Sequence, residues 1–192
     1  MNDATAIVVP LNASPVWDEY ACIQGCIHNH LPSQEMFYRH FYPVMMALVL
    51  RYTTDKDEAG TILNNGFLKA FKNIGSFRNE GSLEGWLRRI MVHAVSDHFR
   101  YKHPPKEILK DQPDDSNATQ VLTPVAYDYN KLLQLLSKLP PATRTVINLF
   151  IIDGYSHKEI SAMMGITVNT SKWHVAEGRK ILQEQLKQYS HG

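Results

Sequence analysis

Apolar positions along this chain recur every three to four residues, and no useful stretch alternates apolar with polar. A period near 3.6 stacks such residues on one helix face, so the pattern predicts an all-α fold. Residues 19–29 read as a first helix, interrupted at Leu31-Pro32-Ser33 because proline has no backbone N–H for a helix interior. Ser33 is the expected cap of a second helix, with Met36, Phe37, His40, Phe41, Val44, Met45, Leu48 and Val49 at helical spacing. T-D-K-D at 54–57 resembles a capping box that opens a third helix, with Ile62, Leu63, Phe67, Ala70 and Phe71 inward. A loop over 73–81 contains Gly75 and Gly81, and Ser82 then caps a fourth helix over 83–101. Its apolar stripe is Trp86, Leu87, Ile90, Ala94 and Val95.

Pro104-Pro105 stop that helix, and Pro, Asp, Ser, Asn and Thr dominate the residues that follow. So long a stretch without large apolar side chains is unusual inside one compact unit and reads as a flexible linker over 104–127. The expected organisation is an N-terminal tail (1–18), a helical domain (19–103), the linker, and a second small helical domain (128–192). The second domain opens with Leu132, Leu133, Leu135, Leu136 and Leu139, stopped by Pro140-Pro141. A helix over 142–152 buries Val146, Ile147, Leu149 and Phe150, and Asp153-Gly154 turn the chain. S-H-K-E at 156–159 is a capping box for a short helix with Ile160 and Met163 inward. Gly165-Ile166 form a tight turn, Thr167 caps, and the last helix covers 168–186. Short helix, glycine turn and longer helix are the helix-turn-helix layout.

Charge sharpens this picture locally. The 20 Lys+Arg and 19 Asp+Glu leave a net charge of +1, so the chain as a whole is no basic nucleic-acid binder. Yet Arg88, Arg89, Arg100, Lys102, Lys106 and Lys110 face only Asp97 and Glu107 within one segment, a footprint suited to phosphates. The loop ahead of it carries Phe77, Arg78, Asn79 and Ser82, which can pocket a base turned out of its stack, while Arg88, Arg89 and Arg100 neutralise phosphate. Phe77 serves equally as a packing anchor, and Trp86, on the apolar stripe, belongs to the core. In the second domain Asn169, Thr170, Lys172, Trp173 and Glu177 lie near the start of the last helix, where base edges would be met. Trp173 fits the groove or the core equally well. Ser156, His157 and Lys158 open the preceding helix and suit phosphate contact.

Other chemistry is thinly represented. Cys22, Cys26, His28 and His30 form a C-x3-C-x-H-x-H run with zinc-ligating side chains, but both cysteines share one helix face with Ile23 and Ile27. Core packing is the expected role, with no metal and no cofactor. There is no H-E-x-x-H, phosphate-binding glycine loop or elbow serine, so neither an enzyme nor a small-molecule substrate is expected. The start of the chain has no secretory pattern, the apolar runs near 45–50 and 146–152 are too short for a bilayer, and two cysteines fit a reduced, cytoplasmic protein.

These segments resemble the extracytoplasmic-function (ECF) group of bacterial RNA polymerase sigma factors. The resemblance is carried by A-x-x-I-L-N-N-G-F-L-K at 59–69, the loop 77–82 followed by W-L-R-R-I at 86–90, then Asp97 and Arg100. In the second domain it is carried by Leu139-Pro140, Arg144, D-G-Y-S-x-x-E-I at 153–160, M-G-I-T-V-N-T at 164–170 and G-R-K-I-L at 178–182. It implies a sigma region 2-like domain that docks on core polymerase and melts the −10 element, and a region 4-like domain that reads the −35 element. The docking helix would present Asn64, Asn65, Leu68 and Lys69, and the −10 surface would include His93 where asparagine is frequent. Implied partners are core RNA polymerase, promoter DNA and an anti-sigma protein. The chain departs from the pattern at Thr61, Asn64 and Asn65 on the docking helix, and at Trp173 and His174 in the recognition helix. An ordinary helix-turn-helix regulator with an N-terminal sensing or dimerisation domain would explain 131–186 equally well, but leaves N-N-G-F-L-K and the F-R-N loop without a role.

Overall fold

Helix-start chemistry sets the first four elements. In the computed structural model residues 17–102 and 129–190 are described, so the expected linker lies outside the described residues. Helix α1 (Glu19–Ile27) starts where the Asp18 carboxylate accepts the Ala21 N–H at 3.0 Å. Helix α2 (Leu31–Val49) takes Pro32 into its first turn, where a missing N–H costs nothing. Ser33 is therefore not its cap, as the sequence suggests. It is buried inside the helix, its hydroxyl against His30 Nδ1 at 2.9 Å and its carbonyl accepting the Cys22 thiol at 3.4 Å. Helix α3 (Lys56–Asn73) is capped by Asp55 rather than Thr54, because the longer reach of its carboxylate accepts from both Asp57 and Glu58 N–H. Helix α4 (Leu83–Lys102) begins as expected, Ser82 Oγ accepting the Gly85 N–H at 3.0 Å.

These four helices share a core of Phe37, Met45, Leu63, Phe67, Leu87 and Met91, all fully enclosed. Each such side chain contributes roughly 1.5–3 kcal/mol by leaving water. Gly66 of the N-N-G-F motif permits the closest approach of α3 to α4, since a Cβ there would lie 2.2 Å from Met91 Sδ. At the far end of α4, Glu58 gathers Thr53, His98 at 3.0 Å and Lys102 at 2.7 Å. Burial pushes its carboxyl up, but those hydrogen bonds outweigh it and hold the pKa down at about 2. Cys22 and Cys26 sit in this core as free thiols, and burial pushes Cys26 up to about 12, away from the thiolate a metal would need. Among the described residues there is no group of three or more potential metal ligands, and no helix is long and apolar enough to cross a membrane.

The second unit comprises α5 (Tyr129–Ser137), α6 (Pro141–Ile147), α7 (His157–Met164) and α8 (Val168–Ser190). The single helix expected over 142–152 is divided: after Ile147 it widens into a π turn, Asn148–Ile152, with Asn148 fully buried. The Ser156/Glu159 capping box forms as expected, Gly165 closes α7 in the left-handed region at φ 69°, and Thr167 Oγ1 accepts the Thr170 N–H at 3.0 Å. Met164, not Met163, is the fully buried methionine of α7. The two units pack together, α4 against α7. Arg51 and Tyr52, just past the end of α2, bind Asp153 of the second unit.

Candidate nucleic-acid interface

The loop ahead of α4 is shaped by two residues in the left-handed region, Asn79 at φ 58° and Gly81 at φ 107°. Asparagine is among the few non-glycine residues that adopt this conformation readily. The turns bring the loop back onto the start of α4 and leave a cleft of about 370 Å³, lined by Phe77, Arg78, Ser82, Trp86 and Arg89 among others. Phe77 and Trp86 lie with ring centroids 5.7 Å apart, tilted by 55°. Both rings are half-buried, so Trp86 is not the core residue its stripe predicts; each packs on the core while lining the cleft. A planar base entering there would meet aromatic carbon and the N-terminal end of a helix dipole.

Along the outer face of α4, Arg89, His93 and Arg100 are exposed, as are Arg78, Asn79 and Ser82 in the loop. Arg88 is partly covered, its Nε 2.9 Å from Glu84 Oε1. Arg100 pairs with Asp97, which also holds Lys69 at 2.5 Å. Such exposed pairs are worth about 0–1 kcal/mol, so a phosphate can displace them. Among the docking candidates on α3, Asn65 is exposed, Leu68 is 57% exposed, and Asn64 Oδ1 accepts the Tyr38 hydroxyl at 3.3 Å. Lys69 is turned towards Asp97 and is the least available of the four.

In the second unit Asn169 and Lys172 stand exposed in the first turns of α8, with Trp173 and Glu177 partly exposed beside them. Trp173 thus resolves to neither extreme, its ring edge-on to His174 with centroids 4.9 Å apart. Thr170 does not belong with the candidate base readers. It is 1% exposed and its hydroxyl is hydrogen-bonded to that of Thr167, because the cap turns it into the domain. His157 is likewise not free for phosphate. Its ring stacks on Phe150 at 4.3 Å, Nδ1 pairs with Ser171 Oγ at 3.0 Å, and burial, helped by Lys172 and Arg179, pushes its pKa down. A neutral, stacked imidazole is a joint between α7 and α8. The Ser156 N–H is taken by Glu159 Oε2 at 2.8 Å, which leaves the exposed Lys158 as the clearest phosphate candidate of the three.

Other residues carry weight that local sequence does not show. His174 is 5% exposed with Nδ1 3.0 Å from Thr143 Oγ1, and burial holds its pKa down at about 4. Arg51, Tyr52 and Asp153 join the two units although about a hundred residues separate them, and the only sequence signal was the turn Asp153-Gly154.

Residues 37–103 match sigma-70 region 2 and residues 129–182 match sigma-70, region 4. The ECF RNA polymerase sigma factor SigW of Bacillus subtilis is 30% identical over 158 residues, covering 73% of this chain and 81% of that protein. SigM of Mycobacterium tuberculosis is 29% identical over 156 residues, covering 79% of this chain and 76% of its own. A solved complex of the sigma factor RpoE with the anti-sigma factor NepR from Bartonella quintana superposes with a TM-score of 0.48 at 22% identity, over 80% of this chain and 96% of that one. With both sigma-70 regions in order and a relative at that identity along most of its length, the chain belongs to the ECF RNA polymerase sigma factors.

Proposed function

We propose that this alternative sigma factor divides promoter recognition between the two surfaces above. The domain over 19–103 captures a base of the −10 element in the Phe77–Trp86 cleft, with Arg78, Asn79 and Ser82 at its rim and Arg88, Arg89, His93 and Arg100 along the strand's phosphates. The domain over 128–192, beyond a linker at 104–127, reads the −35 duplex through Asn169, Lys172, Trp173 and Glu177, with Lys158 on phosphate. Core polymerase docks on α3 at Asn64, Asn65 and Leu68. The protein performs no bond chemistry of its own, acts in the cytoplasm where the polymerase is, and as an ECF member is held in check by an anti-sigma protein.

The observation that supports this most is the half-buried Phe77–Trp86 pair at the mouth of a cleft that opens onto a basic helix face. Stacking a displaced base is worth roughly 1–3 kcal/mol, comparable to the cost of unstacking it from a neighbour, so strand opening becomes part of binding. Reconstitution with core RNA polymerase tests the reading. Specific run-off products from a genomic promoter library are expected. Leu68→Asp should raise the half-saturating sigma concentration about tenfold with an unchanged melting temperature, because it places a charge in an apolar contact. Absence of both product and complex with core overturns the assignment.

A further inference from the structure

The contacts between the two units are built like a latch. Asp153 sits in the turn between the π turn and α7, and its two carboxylate oxygens are divided between two partners on the first domain. One accepts Arg51 Nη2 at 2.8 Å and the other accepts the Tyr52 hydroxyl. The ion pair is largely enclosed, with side chains 10% and 14% exposed. The Arg51 carbonyl, just beyond the end of α2, accepts Asn148 Nδ2 at 3.0 Å, so a helix end of one domain is closed by a side chain of the other. The π turn gives this its geometry, since Asn148 and Asp153 stand at either end of it and are tied by the Asp153 N–H to Asn148 carbonyl bond of 2.9 Å.

The latch sets the proposed −10 surface against the second unit. Arg88, Arg89 and His93 of the proposed −10 surface face Asp153, Tyr155 and Glu159 across a cleft of about 660 Å³. Elements centred at −10 and −35 lie about 25 base pairs apart, roughly 85 Å at 3.4 Å per pair. A compact chain of this size has a radius of gyration of roughly 16 Å, so it is about 40 Å across. The latched form cannot reach both elements.

We propose that Asp153 is the latch of a closed resting form, and that engaging a promoter requires it to let go of Arg51 and Tyr52. This rests on the assignment of α4 and α8 to the two promoter elements. The latched population then sets an apparent affinity: whatever fraction of the chain is closed is unavailable to core and promoter, and weakens both by the same factor. Removing one partner of a buried, hydrogen-bonded charge pair shifts the closed-to-open ratio by roughly 30-fold or more.

Solution scattering on the full chain and run-off titration with core polymerase test it together. Wild type should scatter as a compact particle. Asp153→Asn keeps the shape of the side chain and removes the charge, so it should expand the free chain and lower its half-saturating concentration several-fold. The swapped pair Arg51→Asp with Asp153→Arg should restore both compactness and the wild-type titration. A wild type already extended in solution overturns the proposal, as does a folded Asp153→Asn that stays compact and titrates like wild type. If Asp153→Asn fails to fold, the swapped pair decides: compact with wild-type titration supports the latch, folded and extended overturns it. Scattering reads the latch without polymerase, so a failure of run-off in every variant, wild type included, would count against the sigma reading instead.

Discussion

Acid should destabilise the second unit through one residue. His174 is enclosed between α8 and α6, with Nδ1 on Thr143 Oγ1 and no partner for Nε2. Burial lowers its pKa from 6.5 to about 4, so the folded chain holds it neutral while the unfolded chain protonates it near its ordinary value. Between those two values the unfolded state binds the extra proton. Stability from this site is therefore complete above about pH 6.5 and is lost progressively as pH falls towards about 4. The difference of 6.5 − 4, or about 2.5 pH units, at about 1.36 kcal/mol each corresponds to about 3 kcal/mol. That is a large part of the stability of a small domain. Urea unfolding followed by circular dichroism at pH 7.5, 5.5 and 4.5 measures it, with His174→Gln as the comparison because glutamine keeps a hydrogen bond to Thr143 and cannot charge. Wild type should lose about 2–3 kcal/mol more than the variant between the first and last pH. Equal losses, or an imidazole that titrates near 6.5 by NMR in the folded chain, would refute the reasoning.

Three further outcomes concern residues of α7 and α8. A Cβ at Gly178 would lie 2.6 Å from Ile147 Cγ1 and 2.9 Å from Thr143 Cγ2, so Gly178→Ala should force α8 off α6 and cost about 1–3 kcal/mol in a thermal or urea melt. Lys158→Ala should weaken binding to all −35 duplexes alike and lower the salt slope by about one, whereas Asn169→Ala should change which base is preferred at one position by roughly 1–3 kcal/mol, read by competition against a randomised −35 library.

Local sequence was enough for much that depends on neighbours within a turn or two. Helical periodicity gave the all-α class. Ser82, the Ser156/Glu159 box, Gly165 and Thr167 each mark an element end by a hydrogen bond or a backbone angle that spans at most a few residues. The order of those elements, with the motifs on them, carried the family. Where neighbouring residues could each begin a helix, as Thr54 against Asp55 or Ser33 against His30 with Pro32 in the first turn, pattern alone chose wrongly, since the winner is set by backbone geometry that one letter does not encode.

The tertiary structure alone decided which face of a helix meets what. From Lys172 to Val175 four consecutive residues of α8 pass from exposed through half-buried to buried, a rotation set where Gly178 seats that helix on Ile147 and Thr143 and one that no local period fixes. Thr170 is turned inward by the Thr167 cap, His157 is held by Phe150 and Ser171, and His174 is packed on Thr143, three contacts that only the folded arrangement brings about. The Arg51–Asp153 pair joins side chains 102 residues apart, and is beyond any signal that fades with distance along the chain. Helix formation is a local equilibrium and so is written in the sequence nearby; the pairing of helix faces depends on the whole chain's packing, and only the folded molecule states it.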